Sequence, residues 1–86
     1  MNKIRLYTID SCPFCIELKE MLKKDNLEFT EVNVHLPENE AEYKKLHEFT
    51  RCDDVPMVKV GNQILIPNTS FQTIQEAYEL TKKFLI

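Results

Sequence analysis

An 86-residue chain with 43% hydrophobic and 29% charged residues has the composition of one small soluble domain. A chain of this size buries only about 60–65% of the surface its unfolded form exposes. The net charge of −3 supplies no basic footprint for nucleic acid or an anionic membrane surface. The single glycine, Gly61, excludes glycine-rich dinucleotide and phosphate loops, and collagenous or linker-like chains with them. The longest aliphatic run, Ile64 to Ile66, is far shorter than the ~20 residues that span a bilayer. No apolar stretch follows Lys3 and Arg5, so a secretory signal is not expected either. Three cysteines, an odd and low count for a disulfide-stapled fold, indicate reduced thiols and a cytoplasmic setting.

In chain order, Ile4, Leu6 and Thr8 alternate with Arg5, Tyr7 and Ile9, which predicts a strand from about Lys3 to Thr8. Asp10-Ser11 is a turn, and Pro13 suits the first turn of a helix carrying Phe14, Leu18, Met21 and Leu22 on one stripe. That helix should fade at Asp25-Asn26. Leu27 to Val34 reads as a second strand, parallel to the first because a helix joins them. Pro37 and the acidic Glu38, Glu40 and Glu42 open a second helix, with Tyr43, Leu46 and Phe49 as its apolar side. Met57–Val60 and Gln63–Ile66, joined by Gly61-Asn62, predict a hairpin. Thr69 with Gln72 has the form of a capping box opening a last helix that carries Ile74, Ala77, Tyr78 and Thr81. The string is βαβαββα: one α/β domain over residues 1–86, with a four-stranded mixed sheet flanked by three helices.

Chemistry concentrates at Cys12-Pro13-Phe14-Cys15, between the first strand and the first helix. Two thiols with two residues between them at a helix start can close a small disulfide, and unpaired helix amides stabilise a thiolate on the first. Cys12 is therefore the candidate nucleophile and Cys15 the candidate resolving thiol. A non-catalytic zinc or iron–sulfur site is the rival, but zinc wants four ligands. Only His35, His47 and Cys52 remain to supply them, with no second pair at ligand spacing. No metal is expected. Cys52, His35, His47, Tyr7 and Phe49 are read as structural residues, Phe14 as either core or substrate platform, and Asp54 as either a turn cap or a selector of substrate charge.

Tyr7-Thr8, Cys12-Pro13-Phe14-Cys15 and Val55-Pro56 before a strand, in this order, resemble the glutaredoxins of the thioredoxin fold. The family's usual active site is C-P-Y-C, and Val55-Pro56 resembles its T-V-P element with Asp54 in place of threonine. The resemblance implies a cis bond before Pro56 and a Val55 backbone able to pair with an extended substrate. It implies a redox-active Cys12–Cys15 disulfide supported by Pro13 and Phe14. It also implies a monomer with no tightly bound cofactor that reduces protein disulfides. Ribonucleotide reductase is an acceptor by analogy and glutathione the family's electron source; the alternative reading is a thioredoxin-like carrier reduced by thioredoxin reductase. Three family features for glutathione are altered here. Ile9 stands where a lysine is usual, and Arg51 is separated from Val55-Pro56 by Asp53 and Asp54. Pro67-Asn68-Thr69-Ser70-Phe71 replaces Gly-Gly and the following acid. Thr69 and Ser70 are left as the candidates for meeting a carboxylate there. With Asp10 near Cys12 and no adjacent cation, the charge pattern weakens both glutathione binding and thiolate stabilisation.

Overall fold

The computed structural model describes residues 3–85. Four strands, β1 (Ile4–Thr8), β2 (Thr30–Asn33), β3 (Met57–Val60) and β4 (Gln63–Leu65), form one sheet in the order β2-β1-β3-β4. β1 runs parallel to β2 and antiparallel to β3, and β3 is antiparallel to β4, so the sheet is mixed as expected. The helices are α1 (Pro13–Lys24), α2 (Glu40–Thr50) and α3 (Ile74–Leu85), with a single 3-10 turn at Pro37–Asn39 leading into α2.

Period-two alternation divides the core. Ile4, Leu6, Val58, Val60 and Leu65 face Leu18 and Leu22 of α1 and Ile74 and Ala77 of α3. Tyr7, Val32 and Met57 face the other way, against Leu46 of α2. Two polar clusters bolt helices to the sheet. Arg5 donates to both carboxylate oxygens of Glu42 at 2.7 and 2.8 Å, and the Tyr7 hydroxyl donates to Glu42 Oε2 at 2.7 Å, tying α2 to β1. Glu31 Oε2 accepts from the buried Thr8 hydroxyl at 2.8 Å and from Lys19 Nζ at 2.9 Å, tying β2 to β1 and α1. At the far end of α1, Asp25 takes the Tyr78 hydroxyl and Lys82 of α3.

Helix and turn ends follow from local chemistry. α1 stops where expected because Asn26 enters the left-handed region at φ 58°. Its N–H then bonds Lys23 O, and that of Leu27 bonds Leu22 O, the two closures of a Schellman cap. Those bonds also correct one expectation. Leu27 is spent on the helix end and β2 starts only at Thr30, although Leu27 and Phe29 still pack on the α1/α3 core. Gly61 takes φ 59° in the hairpin turn, a conformation glycine reaches without steric cost. A second correction concerns Phe49, which is 78% exposed. Leu46 is the α2 residue that packs on the sheet, against Tyr7, Val32 and Met57, while Phe49 lines an open depression with Lys45, Lys59 and Ile64. The third concerns α3. It starts at Ile74, five residues beyond Thr69, and its capping box is Thr73 with Glu76.

Candidate active site

Three segments meet at one end of the sheet. The first is the turn between β1 and α1. Ser11 adopts φ 59°, Cys12 is extended (φ −95°, ψ 109°), and Pro13 is the first helical residue, where its missing N–H leaves nothing unsatisfied. Cys12 is thus the N-cap of α1. Its Sγ accepts the Cys15 N–H at 3.3 Å, and its carbonyl accepts the Ile16 N–H at 3.0 Å. A sulfur so placed receives one of the helix's orphan amides and faces the positive end of its dipole.

The two cysteines differ in surroundings. Cys12 is 8% exposed and Cys15 only 1%. Burial, followed by the hydrogen bond to the neighbouring Cys12 sulfur, pushes the Cys15 thiol up to about 12, against smaller lowering effects from the Ile9 backbone and the Lys19 charge. Cys15 therefore stays protonated at neutral pH.

The second segment is the link from α2 to β3. Arg51 ends α2 in the left-handed region at φ 57°, its N–H bonding His47 O at 2.7 Å. The chain then reaches a cis Val55–Pro56 bond, as the resemblance implies, with Val55 half-buried and Pro56 buried. His47 Nε2 lies 2.6 Å from Asp53 Oδ1, and the Cys52 Sγ is 3.8 Å from Asp54 O. Among the described residues, no three His, Cys, Asp or Glu side chains gather as a metal site.

The third segment runs from β4 to α3. Thr69 and Ser70 do not stand at a helix N-terminus. Their N–H groups bond Ile66 O at 3.2 and 2.8 Å, and Ser70 Oγ accepts the Ile66 N–H at 3.1 Å, closing a tight turn that Asn68 enters at φ 65°. At the start of α3 the N–H groups of Gln72, Thr73 and Glu76 are filled from within. One oxygen of Glu76 accepts the Gln72 N–H at 2.8 Å and the Thr73 N–H at 3.1 Å, while Thr73 Oγ1 accepts the Glu76 N–H at 3.1 Å.

A groove of about 320 Å³ runs between the three segments. Phe14, 60% exposed, is one wall; Asp54, Val55 and Pro56 are the second; Pro67, Asn68 and the stretch Phe71–Ile74 are the third. The exposure of Phe14 resolves its two sequence readings in favour of a surface position on the groove. Phe14, Val55 and Pro56 thus come together on the groove, whereas Cys12, Pro13, Cys15, Thr69 and Ser70 lie outside its lining. Phe71 and Ile74 had no motif to mark them, and only the packing of α3 against the sheet brings them in.

With this geometry in place, comparison with known proteins settles the lineage. The glutaredoxin family model matches residues 4–65. The chain belongs to the glutaredoxin family. It is 29% identical over 63 residues to the glutaredoxin-like 8.6 kDa protein in the rubredoxin operon of Clostridium pasteurianum, covering 73% of this chain and 81% of that one. It is 31% identical over 62 residues to glutaredoxin 1 of Rickettsia prowazekii, covering 72% and 65%. Among solved structures, the thioredoxin-like protein BC3987 superposes with a TM-score of 0.71 at 28% identity, over 91% of this chain and 99% of that one. The glutaredoxin of Archaeoglobus fulgidus superposes at 0.68 and 22% identity over 93% and 86%, a likeness of fold. No described helix of this glutaredoxin-family chain is long and apolar enough to cross a membrane.

Proposed function

We propose that this chain is a dithiol thiol–disulfide oxidoreductase that reduces protein or mixed disulfides. The observation that carries the proposal is the unequal pair at the start of α1, a capping sulfur on Cys12 beside a buried, protonated Cys15. In the proposed cycle the Cys12 thiolate attacks one sulfur of a substrate disulfide. A Cys12–substrate bond forms, the substrate S–S bond breaks, and the departing thiolate takes up a proton. Cys15 then gives up its proton and attacks Cys12 Sγ, which closes the Cys12–Cys15 disulfide and releases the second substrate thiol. Two electrons have passed to the substrate. The timing has a physical basis: part of what raises the Cys15 thiol is the Cys12 sulfur itself. Once that sulfur is bonded to substrate it carries no charge, and Cys15 is easier to deprotonate.

An external dithiol or thiol returns the protein to its reduced form. Glutathione and thioredoxin reductase are the two electron sources proposed, with ribonucleotide reductase a candidate acceptor by family analogy and a monomer in the reducing cytoplasm as the working state. The test is a paired turnover assay on a protein disulfide, once with glutathione and glutathione reductase and once with thioredoxin reductase. Turnover with at least one system, abolished in Cys12→Ser, is expected; a Cys12→Ser protein as active as the wild type would end the reading.

A further inference from the structure

Taking Cys12 as the attacking sulfur, as proposed above, we infer that the groove walled by Phe14, two residues on from it, selects protein disulfides flanked by lysine or arginine and disfavours anionic thiols such as glutathione. The charge of the lining is one-sided. Asp54 is the only charged side chain on the groove among the described residues, and no Lys or Arg borders it. Its carboxylate joins no ion pair or hydrogen bond among those residues; the contact from Cys52 goes to its backbone oxygen, and the neighbouring Asp53 is the one engaged by His47. An exposed carboxylate beside the apolar Phe14, Val55 and Pro56 matches a side chain with an aliphatic stem and a cationic head.

The opposite wall closes the alternative. A helix N-terminus is the natural place for a ligand carboxylate. Here Glu76 already sets a carboxylate on the N–H groups of Gln72 and Thr73, so an anion approaching this helix start meets that charge as well as Asp54. Glutathione, with two carboxylates, is repelled by both. A cationic polypeptide segment meets a free carboxylate.

The test uses pre-reduced protein in single turnover, so that no reductase enters. Cysteine peptides identical except for Lys or Glu beside the cysteine, and glutathione itself, are each blocked as the 2-thiopyridyl disulfide. Cys12 forms a bond to the peptide sulfur, the S–S bond to the pyridyl group breaks, and pyridine-2-thione leaves with a proton. Its absorbance gives the rate, which is divided by the rate of the same compound with dithiothreitol. The Lys peptide is expected to react about tenfold faster than the Glu peptide at low ionic strength, with glutathione on the slow side. High salt shrinks the ratio, Asp54→Asn brings it close to one, and Asp54→Lys reverses it. A wild-type ratio near or below one, or a ratio unchanged in Asp54→Asn, overturns the charge selection while leaving the oxidoreductase reading intact. No Cys12-dependent release from any compound overturns that reading, and this inference with it.

Discussion

Two helices begin at the same groove and use their first amides in opposite ways. At α1 the cap is a sulfur, Cys12 Sγ, held by one long bond from the Cys15 N–H. At α3 the cap is oxygen on both sides, with Thr73 and Glu76 exchanging three bonds among Gln72, Thr73 and Glu76. One helix start carries a reactive cap and the other an inert one. α2 makes a third case: Asn39 provides no side-chain cap, and the helix is fixed instead by Glu42 in its first turn gripping Arg5 and Tyr7. Capping chemistry, and not the presence of a helix N-terminus, distinguishes the site from its neighbours.

The sharpest way to break this contrast is Cys12→Ser. Serine is among the best N-caps, so this variant is expected to be at least as stable as the reduced wild type, while disulfide reduction falls on the order of a thousandfold or more. Urea midpoints and turnover rates measured on one preparation check both halves. Cys15→Ser should instead leave Cys12 reactive and accumulate the Cys12–substrate mixed disulfide, seen as added mass in intact-protein spectrometry.

The buried partner gives an alkaline signature. Cys15 is raised to about 12 and Tyr7 to about 12, both above their unfolded values. Their contribution to stability is therefore complete below the unfolded pKa, about 8.5 for the thiol and about 10 for the phenol, and is lost as pH rises toward 12. Reduced wild type should lose stability between neutral pH and about pH 10.5 more steeply than Cys15→Ala, compared by urea denaturation at each pH. At α3, Thr73→Ala and Glu76→Ala are each expected to cost about 1 kcal/mol, read from the same denaturation curves.

The smallest effect belongs to α2. Glu42 is held below the usual carboxylate range first by its hydrogen bond from Arg5 and then by that from Tyr7. The stability it adds is present above the unfolded carboxylate pKa and lost as pH falls through the folded one. The pair is more than a third exposed, so Glu42→Gln should cost below about 1 kcal/mol at neutral pH, with the difference vanishing in acid.

Much of this architecture is legible in the amino-acid pattern. Alternation in Ile4–Thr8, the stripe through Leu18 and Leu22, and Gly61 between two short apolar runs state their elements locally, because each signal is satisfied by neighbours in sequence. The errors occur where two local signals compete or where the third dimension decides. Thr69-x-x-Gln72 and Thr73-x-x-Glu76 are both capping-box patterns, four residues apart. The first lost because Thr69 and Ser70 are drawn into a turn on Ile66. Phe49 follows Leu46 at helical spacing and reads as core, but a stripe reports which side of a helix is apolar and not how far the sheet beneath it is covered. Cys12, Cys15 and Val55-Pro56 stand out as motifs, whereas Phe71 and Ile74 reach the groove only through the packing of α3.

One feature of α1 reaches beyond stability. The atom that caps the helix is the same atom proposed to change its bonding in each step, so in the proposed cycle the Cys15 N–H faces in turn a thiolate, the uncharged sulfur of a mixed disulfide, and that of the closed Cys12–Cys15 ring. As an acceptor, sulfur weakens when its charge is removed. The amide proton of Cys15 is thereby a built-in gauge of the cycle, and its chemical shift and exchange rate would track electron flow through the protein without any added label.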